Sequence, residues 1–220
     1  MADQLILAFD TSAAHCAAAL LLGEVIVASR VEEMQKGQAE RLMPLLEEVL
    51  AEAGKSWSDL DRIGVGVGPG NFTGIRISVS AARGLAMALG IPAIGVSSLQ
   101  AMAYTSATSH LTMATLDARQ GNLYCQLFNK GGEAIDEPRL CAATDISNHF
   151  PQGTPTIVGH NSAELADQLG ATHADAPPIK TVESMARIVA ARTPDGTRPA
   201  PLYLRPADAA PPRDPAPKIL

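Results

Sequence analysis

Apolar and polar positions alternate in blocks along the chain, and the blocks predict the elements. LILAF at 5–9, CAAALLL at 16–22 and VIVAS at 25–29 are short apolar runs separated by polar turns at 10–15 and at Gly23-Glu24. Such runs with such turns predict three strands in an antiparallel meander. In AERLMPLLEEVLAEAG the residues Leu42, Leu45, Leu46, Val49, Leu50 and Ala53 recur at three- and four-residue spacing. That period predicts an amphipathic helix, with Gly54 as its stop. Pro44 fits only if the helix starts about a turn earlier, because an interior proline loses a backbone hydrogen bond. IGVGV at 63–67 reads as a buried strand that runs into GVGPGNFTGIR at 66–76. A long helix follows, TGIRISVSAARGLAMALG, small-sided through Ala81, Ala82, Gly84, Ala86 and Ala88. IPAIGVSS is a further strand, with Pro92 at its start, and SLQAMAYTSA a further helix.

The second half repeats the opening pattern. LAFDTSAAHCAAALLLGE and ATLDARQGNLYCQLFNKGGE share an apolar strand, an Asp, a polar turn, a second strand and a glycine turn with Glu. Either the architecture is duplicated or two hairpins happen to look alike. TPTIVGHNSAELADQLG predicts a strand and a helix, and TVESMARIVAAR a last helix with Thr181 as its N-cap. From Thr193 onward the texture changes, since eight of the 16 prolines lie between Pro194 and Pro217. That tail excludes helix and central strand, and its PLYLRP segment is an expected anchor to the body. The expected division is 1–106 and 107–220, with the proline-rich tail from about 193.

Composition narrows the function classes. The chain of 220 residues carries a net charge of −6 and has no run of Lys or Arg, which disfavours stand-alone nucleic-acid binding. Cys16, Cys125 and Cys141 are odd in number and form no CxxC pair, so they read as small buried hydrophobes. The N-terminus lacks a basic segment, and no apolar run approaches the ~20 residues of a membrane span. A cytoplasmic protein is the expectation.

The glycines of 66–76 fail the spacing of the phosphate-loop pattern and of the dinucleotide fingerprint, and no Lys lies among them. What remains is a turn at a helix start, with Asn71 or Thr73 as cap. It either packs strand on helix closely or offers N–H groups to an anion. The histidines at 15, 110, 149, 160 and 173 show no metal-ligand spacing, so no metal site is expected. His15 and Cys16 would point to opposite faces of a strand and cannot form a dyad. Asp10 and Asp117 each end a strand and begin a turn. They could hold a metal–phosphate across a cleft, but the turn role is favoured.

Several segments together carry a resemblance. ILAFDTS, RLMPLLEEVL, GVGPGNFTGIR, GIPAIGVSSLQAMA, LDARQGNLY and PLYLR stand in the order and spacing of the TsaB family, also called YeaZ, and span nearly the whole chain. The glycine stretch resembles the family's GPGSFTGxR signature, with Asn71 where serine is usual. The matching motif positions are Asp10, Thr11, Ser12, Gly68, Pro69, Gly70, Phe72, Thr73, Gly74 and Asp117. Gln38 replaces a histidine found in many members before the first helix.

The resemblance implies a duplicated actin-like α/β fold of the sugar kinase/Hsp70/actin type. It implies an accessory subunit, itself without catalytic residues, for threonylcarbamoylation of adenosine 37 in tRNA. Its partners would be a TsaD-like catalytic paralogue and a TsaE-like ATPase, with a homodimer when alone and tRNA met only through the complex. No cofactor is implied for the isolated chain, though a nucleotide at the junction with partners stays open. The implied interface uses the two helices of the first half, at Leu42, Met43, Leu46, Val49, Leu50, Ile75, Arg76, Val79, Arg83 and Met87. An actin-like ATP-dependent phosphotransferase on a small molecule is the alternative, motivated by the two Asp turns. A glycoprotease-type peptidase ranks below it, for want of metal ligands or a nucleophile constellation.

Overall fold

The apolar runs do become strands, and each half assembles around one of them. The computed structural model describes residues 3–106, 111–149 and 155–205. Strands β1 (Leu5–Asp10), β2 (His15–Leu22) and β3 (Val25–Glu33) form the expected meander. Helix α1 (Gln38–Glu52) leads to β4 (Arg62–Gly66), which pairs parallel with β1. Helix α2 (Phe72–Leu89) leads to β5 (Ala93–Val96), parallel to β4. The sheet order is β3-β2-β1-β4-β5.

Helix α3 (Ser98–Thr105) crosses to the second half. There β6 (Thr112–Asp117), β7 (Asn122–Phe128) and β8 (Arg139–Ala142) form a second meander. Strand β9 (Thr156–Gly159) pairs parallel with β6, α4 (Ser162–Leu169) follows, and β10 (Thr172–Ala174) pairs parallel with β9. The order β8-β7-β6-β9-β10 repeats that of the first sheet. The repeated motif therefore reflects a duplicated architecture, in which each central strand has one antiparallel and one parallel neighbour.

β1 is buried along its whole length because helices cover both faces of its sheet. Leu5, Leu7 and Phe9 meet the apolar stripes of α1 and α2, while Ile6 and Ala8 meet α5 (Pro178–Ala191) through Met185, Ile188 and Val189. Alternation along a strand sends successive side chains to opposite faces, so a continuous apolar run is what a doubly covered strand requires. In the second sheet Met113 meets α4 through Leu165 and Ala166, and Ala114 packs in a cluster with Leu99 and Met102 of α3.

α3 and α5 therefore change places. The helix that ends the first half covers the second sheet, and the helix that ends the second half covers the first. A boundary at 106/107 falls between the two sheets, while α5 packs on the first sheet and α3 on the second, with Ala101 of α3 also reaching the core beneath α5. Two local details also differ from expectation. The cap of α5 is Pro177, with Pro178 in the first helical position. Thr181 lies one turn inside, its hydroxyl donating to the Pro177 carbonyl (3.1 Å). Proline at the first position presets φ for a helix and so fixes the earlier start. Pro44 stays inside α1, which begins at Gln38.

Candidate functional site

The Asp turns of the two halves face each other across a cleft of about 1230 Å³. Asp10 ends β1 and is buried. Its Oδ1 accepts from the Ser12 amide (3.0 Å) and its Oδ2 from the Ser12 hydroxyl (2.9 Å). His15 Nε2 lies 3.2 Å from the same Oδ2, and the Ser12 hydroxyl lies 3.2 Å from that of Ser98 at the start of α3. Both carboxylate oxygens are thus engaged within the turn, an Asx-turn arrangement.

Asp117 repeats it, with Oδ1 accepting from the Arg119 amide (2.8 Å). Beyond it Arg119, Gln120 and Gly121 take φ of 63, 54 and 74°, a left-handed run that tightens the hairpin and sets Arg119 on the cleft wall. Two of these residues are not glycine, so the turn holds them against their preference.

The glycine stretch packs against the first Asp turn. The Asn71 amide donates to the Ser12 carbonyl (2.6 Å), and the Thr11 hydroxyl donates to the Gly74 carbonyl (2.7 Å). A Cβ on Gly66 would overlap the Asp10 carboxylate. On Gly70 it would overlap the Ser12 carbonyl oxygen, and on Gly74 that of Thr11. The glycines thus allow α2 to begin in contact with the DTS turn, the packing role rather than the anion role. Asn71 caps α2 through Oδ1, which accepts from the Gly74 amide (2.9 Å), as good a cap as serine would be. Gly68 precedes Pro69 with φ +90°, and Phe72 and Thr73 open the helix on the cleft wall.

Thiol chemistry finds little footing here. Burial pushes the Cys16 thiol up to about 12, with Glu32 adding to the effect. Burial does the same to Cys125, whose Sγ lies 3.4 Å from that of Cys141. No sequence spacing announces the Cys125–Cys141 contact. The β7–β8 register alone brings it together. No three His, Cys, Asp or Glu side chains converge among the described residues. His160 lines the second-half wall of the cleft, far in sequence from His15 on the first.

Most of the residues expected at a partner interface lie elsewhere. Leu42, Leu46, Val49, Leu50, Ile75 and Val79 are at most 3% exposed and belong to the core of the first half. Helices laid flat on a sheet turn their apolar stripe inward, so the stripe reports the core rather than a second face. Of the remaining four, Met43 and Met87 are 38% and 85% exposed. Arg76 and Arg83 are exposed but occupied within the chain. Arg76 lies over the Phe72 ring at 3.8 Å, and Arg83 donates to the Pro199 carbonyl (2.8 Å). The rest of the outward face of α2 includes Ser80, Gly84, Met87 and Ala88, and a Cβ on Gly84 would meet open space.

Comparison with known proteins places this arrangement in a family. Residues 26–183 match the family model described as "TsaD: tRNA N6-adenosine threonylcarbamoyltransferase". The tRNA threonylcarbamoyladenosine biosynthesis protein TsaB of Escherichia coli is 35% identical over 59% of this chain and 57% of its own length. TsaB of Bacillus subtilis is 36% identical over 56% of this chain and 54% of its own length. The chain belongs to this family, on its TsaB/YeaZ branch. It spans about half the length of the curated TsaB relatives it matches. YeaZ from Pseudomonas aeruginosa superposes with a TM-score of 0.75 at 26% identity, over 91% of this chain and all of that one. A second structure from the same organism, described as similar to peptidase YeaZ, superposes at 0.77 with 27% identity, over 92% of this chain and all of that one. The component A of (R)-2-hydroxyglutaryl-CoA dehydratase from Acidaminococcus fermentans shares the fold at a TM-score of 0.54 and 11% identity, over 86% of this chain and all of that one. The fold is the duplicated actin-like α/β fold. No helix among the described residues of this TsaB-like chain is long and apolar enough to cross a membrane.

Proposed function

We propose that this TsaB-like chain takes part in tRNA threonylcarbamoyladenosine biosynthesis as a non-catalytic subunit. It pairs with a TsaD-like catalytic paralogue, a TsaE-like ATPase joins them, and tRNA is met through the complex. The TsaB relatives are tRNA threonylcarbamoyladenosine biosynthesis proteins, which supports the pathway. The observation that carries the pairing is the outward face of α2. Met87 is 85% exposed there beside a helical glycine whose missing side chain relieves no clash with the described residues. A mid-helix glycine is a cost without an internal return, and a closely approaching second helix is the natural return. Partner binding would then bias the complex toward its active arrangement.

Size-exclusion chromatography of the chain with and without the paralogue tests this. A complex at micromolar concentration is expected, and it should be lost on Met87→Asp while the far-UV spectrum of the free chain is kept. Absence of any complex with the unaltered chain overturns the pairing. A small-molecule phosphotransferase keeps one observation in its favour, the two Asp turns across the cleft. ATP binding by the isolated chain, lost on Asp10→Asn, would move the reading there.

A further inference from the structure

The segment 199–205 runs from one half to the other along the cleft. On the first half the Pro199 carbonyl accepts from Arg83 (2.8 Å) and the Leu202 amide donates to the Val67 carbonyl (2.8 Å). Leu202 packs on the core of that half. The Tyr203 ring stacks on Phe72 with centroids 4.6 Å apart, and its hydroxyl accepts from Arg76 Nε (3.1 Å). Arg76 also covers the other ring, so Phe72, Tyr203 and Arg76 form one stack at the start of α2.

Two residues later the chain has reached the second half. Leu204 packs beside the cluster of Met102, Tyr124 and Phe128, and Arg205 donates to the Ala118 carbonyl (3.3 Å) and to Gln120 Oε1 (3.5 Å). Ala118 and Gln120 belong to the second Asp turn. Leu202, Tyr203, Leu204 and Arg205 all line the cleft. Among the described residues α3 packs on both cores, through Ala101 in the first and Leu99 and Met102 in the second, and lies deep, whereas this segment joins the lips.

We propose that residues 199–205 are a strap that sets the opening of the cleft. With Tyr203 seated on Phe72 and Arg76, the second Asp turn is held toward the first half through Leu204 and Arg205. With Tyr203 unseated, the lips part and the buried Asp10 turn becomes open to solvent. The strap lacks regular structure, so its register depends on these side chains rather than on a ladder of backbone bonds. An aromatic pair and one side-chain hydrogen bond together correspond to roughly a tenfold change in a local opening equilibrium.

Two measurements test the strap on the full chain. In the Tyr203→Ala/Leu204→Ala variant, amide exchange in residues 117–122 should speed up by about tenfold, with β1 and α1 unchanged. The milder Tyr203→Phe, which removes only the bond to Arg76, should give a smaller acceleration at the same amides and guards against a variant that fails to fold. Spin labels on Gln35→Cys and Asp175→Cys, exposed residues on opposite lips, report the opening, since the three native cysteines are buried. Their distance distribution should lengthen and broaden when the strap is released. If the Leu202 amide loses protection in the double variant while residues 117–122 and the label distance stay unchanged, the segment is a passive cover and the proposal fails.

Discussion

Gly74 and Gly84 lie in one helix ten residues apart, yet they answer to different neighbours. Gly74 touches the Thr11 carbonyl, and any Cβ there would drive α2 off the DTS turn. Gly74→Ala should lower unfolding free energy by about 3 kcal/mol, read from urea denaturation, because overlap with backbone cannot be relieved by a rotamer change. Gly84 faces open space. Gly84→Ala should raise the stability of the free chain by about 1 kcal/mol. The same change should weaken association with the paralogue if the α2 face is the contact. A stabilised chain with undiminished association would disconnect this glycine from the interface. Both glycines are plain in the sequence, and so is the failure of GVGPGNFTGIR as a phosphate loop. What presses on each is a segment distant in the chain, or nothing at all, and no spacing within the motif reveals that.

Among elements, α1 and α2 were legible as amphipathic helices, but the direction of their apolar stripe was not. Leu46 and Val79 are 0% and 3% exposed in the first core. Leu46→Asp and Val79→Asp should therefore unfold the chain, with loss of the cooperative thermal transition, rather than only release a partner. Leu46→Ala should cost about 2–5 kcal/mol.

On the opposite side of α1, Arg41 ties the helix to β3 through Glu32 (2.6 Å) and also pairs with Glu48 of its own helix (2.7 Å). Its hydrogen bonds hold both carboxylates below their ordinary value of 4.5. The unfolded chain then binds protons that the folded chain refuses, so this contribution is present above pH 4.5 and fades as pH falls through the lowered values. Thermal unfolding across the acid range should show a shallower decline for Arg41→Ala than for the unaltered chain. Identical acid slopes would assign the bridge no pH-dependent role. These are surface charges, and the effect should shrink in high salt.

At the scale of the molecule, the exchange of α3 and α5 makes the two halves interdependent. Residues 1–106 contain a complete first sheet but lack the helix that covers Ile6, Ala8 and Leu21. A chain cut after residue 106 should fail to form a cooperative domain and should bind a hydrophobic dye. Adding α5 back behind a flexible linker should restore the transition. A stable, cooperatively folding 1–106 fragment would show that α5 is dispensable to that core. The repeated Asp turns announced the duplication in the sequence. The helix exchange left no local signal, because α3 and α5 are each amphipathic and nothing in their pattern names the sheet they will cover.

Local chemistry was therefore decided by the sequence alone. Runs of aliphatic residues dictated strands, three- and four-residue spacing dictated helices, and each Asp closed its own turn by bonding two residues on. The order of motifs was enough to indicate the family and the duplicated fold. The tertiary structure decided everything that depends on which surfaces meet. It put the apolar stripes of α1 and α2 into the core and left Met87 and Gly84 outside. It spent the glycines on packing against the DTS turn and drew the PLYLR segment across the cleft. The physical reason is that an amphipathic pattern specifies a face to be buried but not its partner. The partner is chosen by the packing of segments far apart in the chain, where burial and hydrogen bonding are satisfied together.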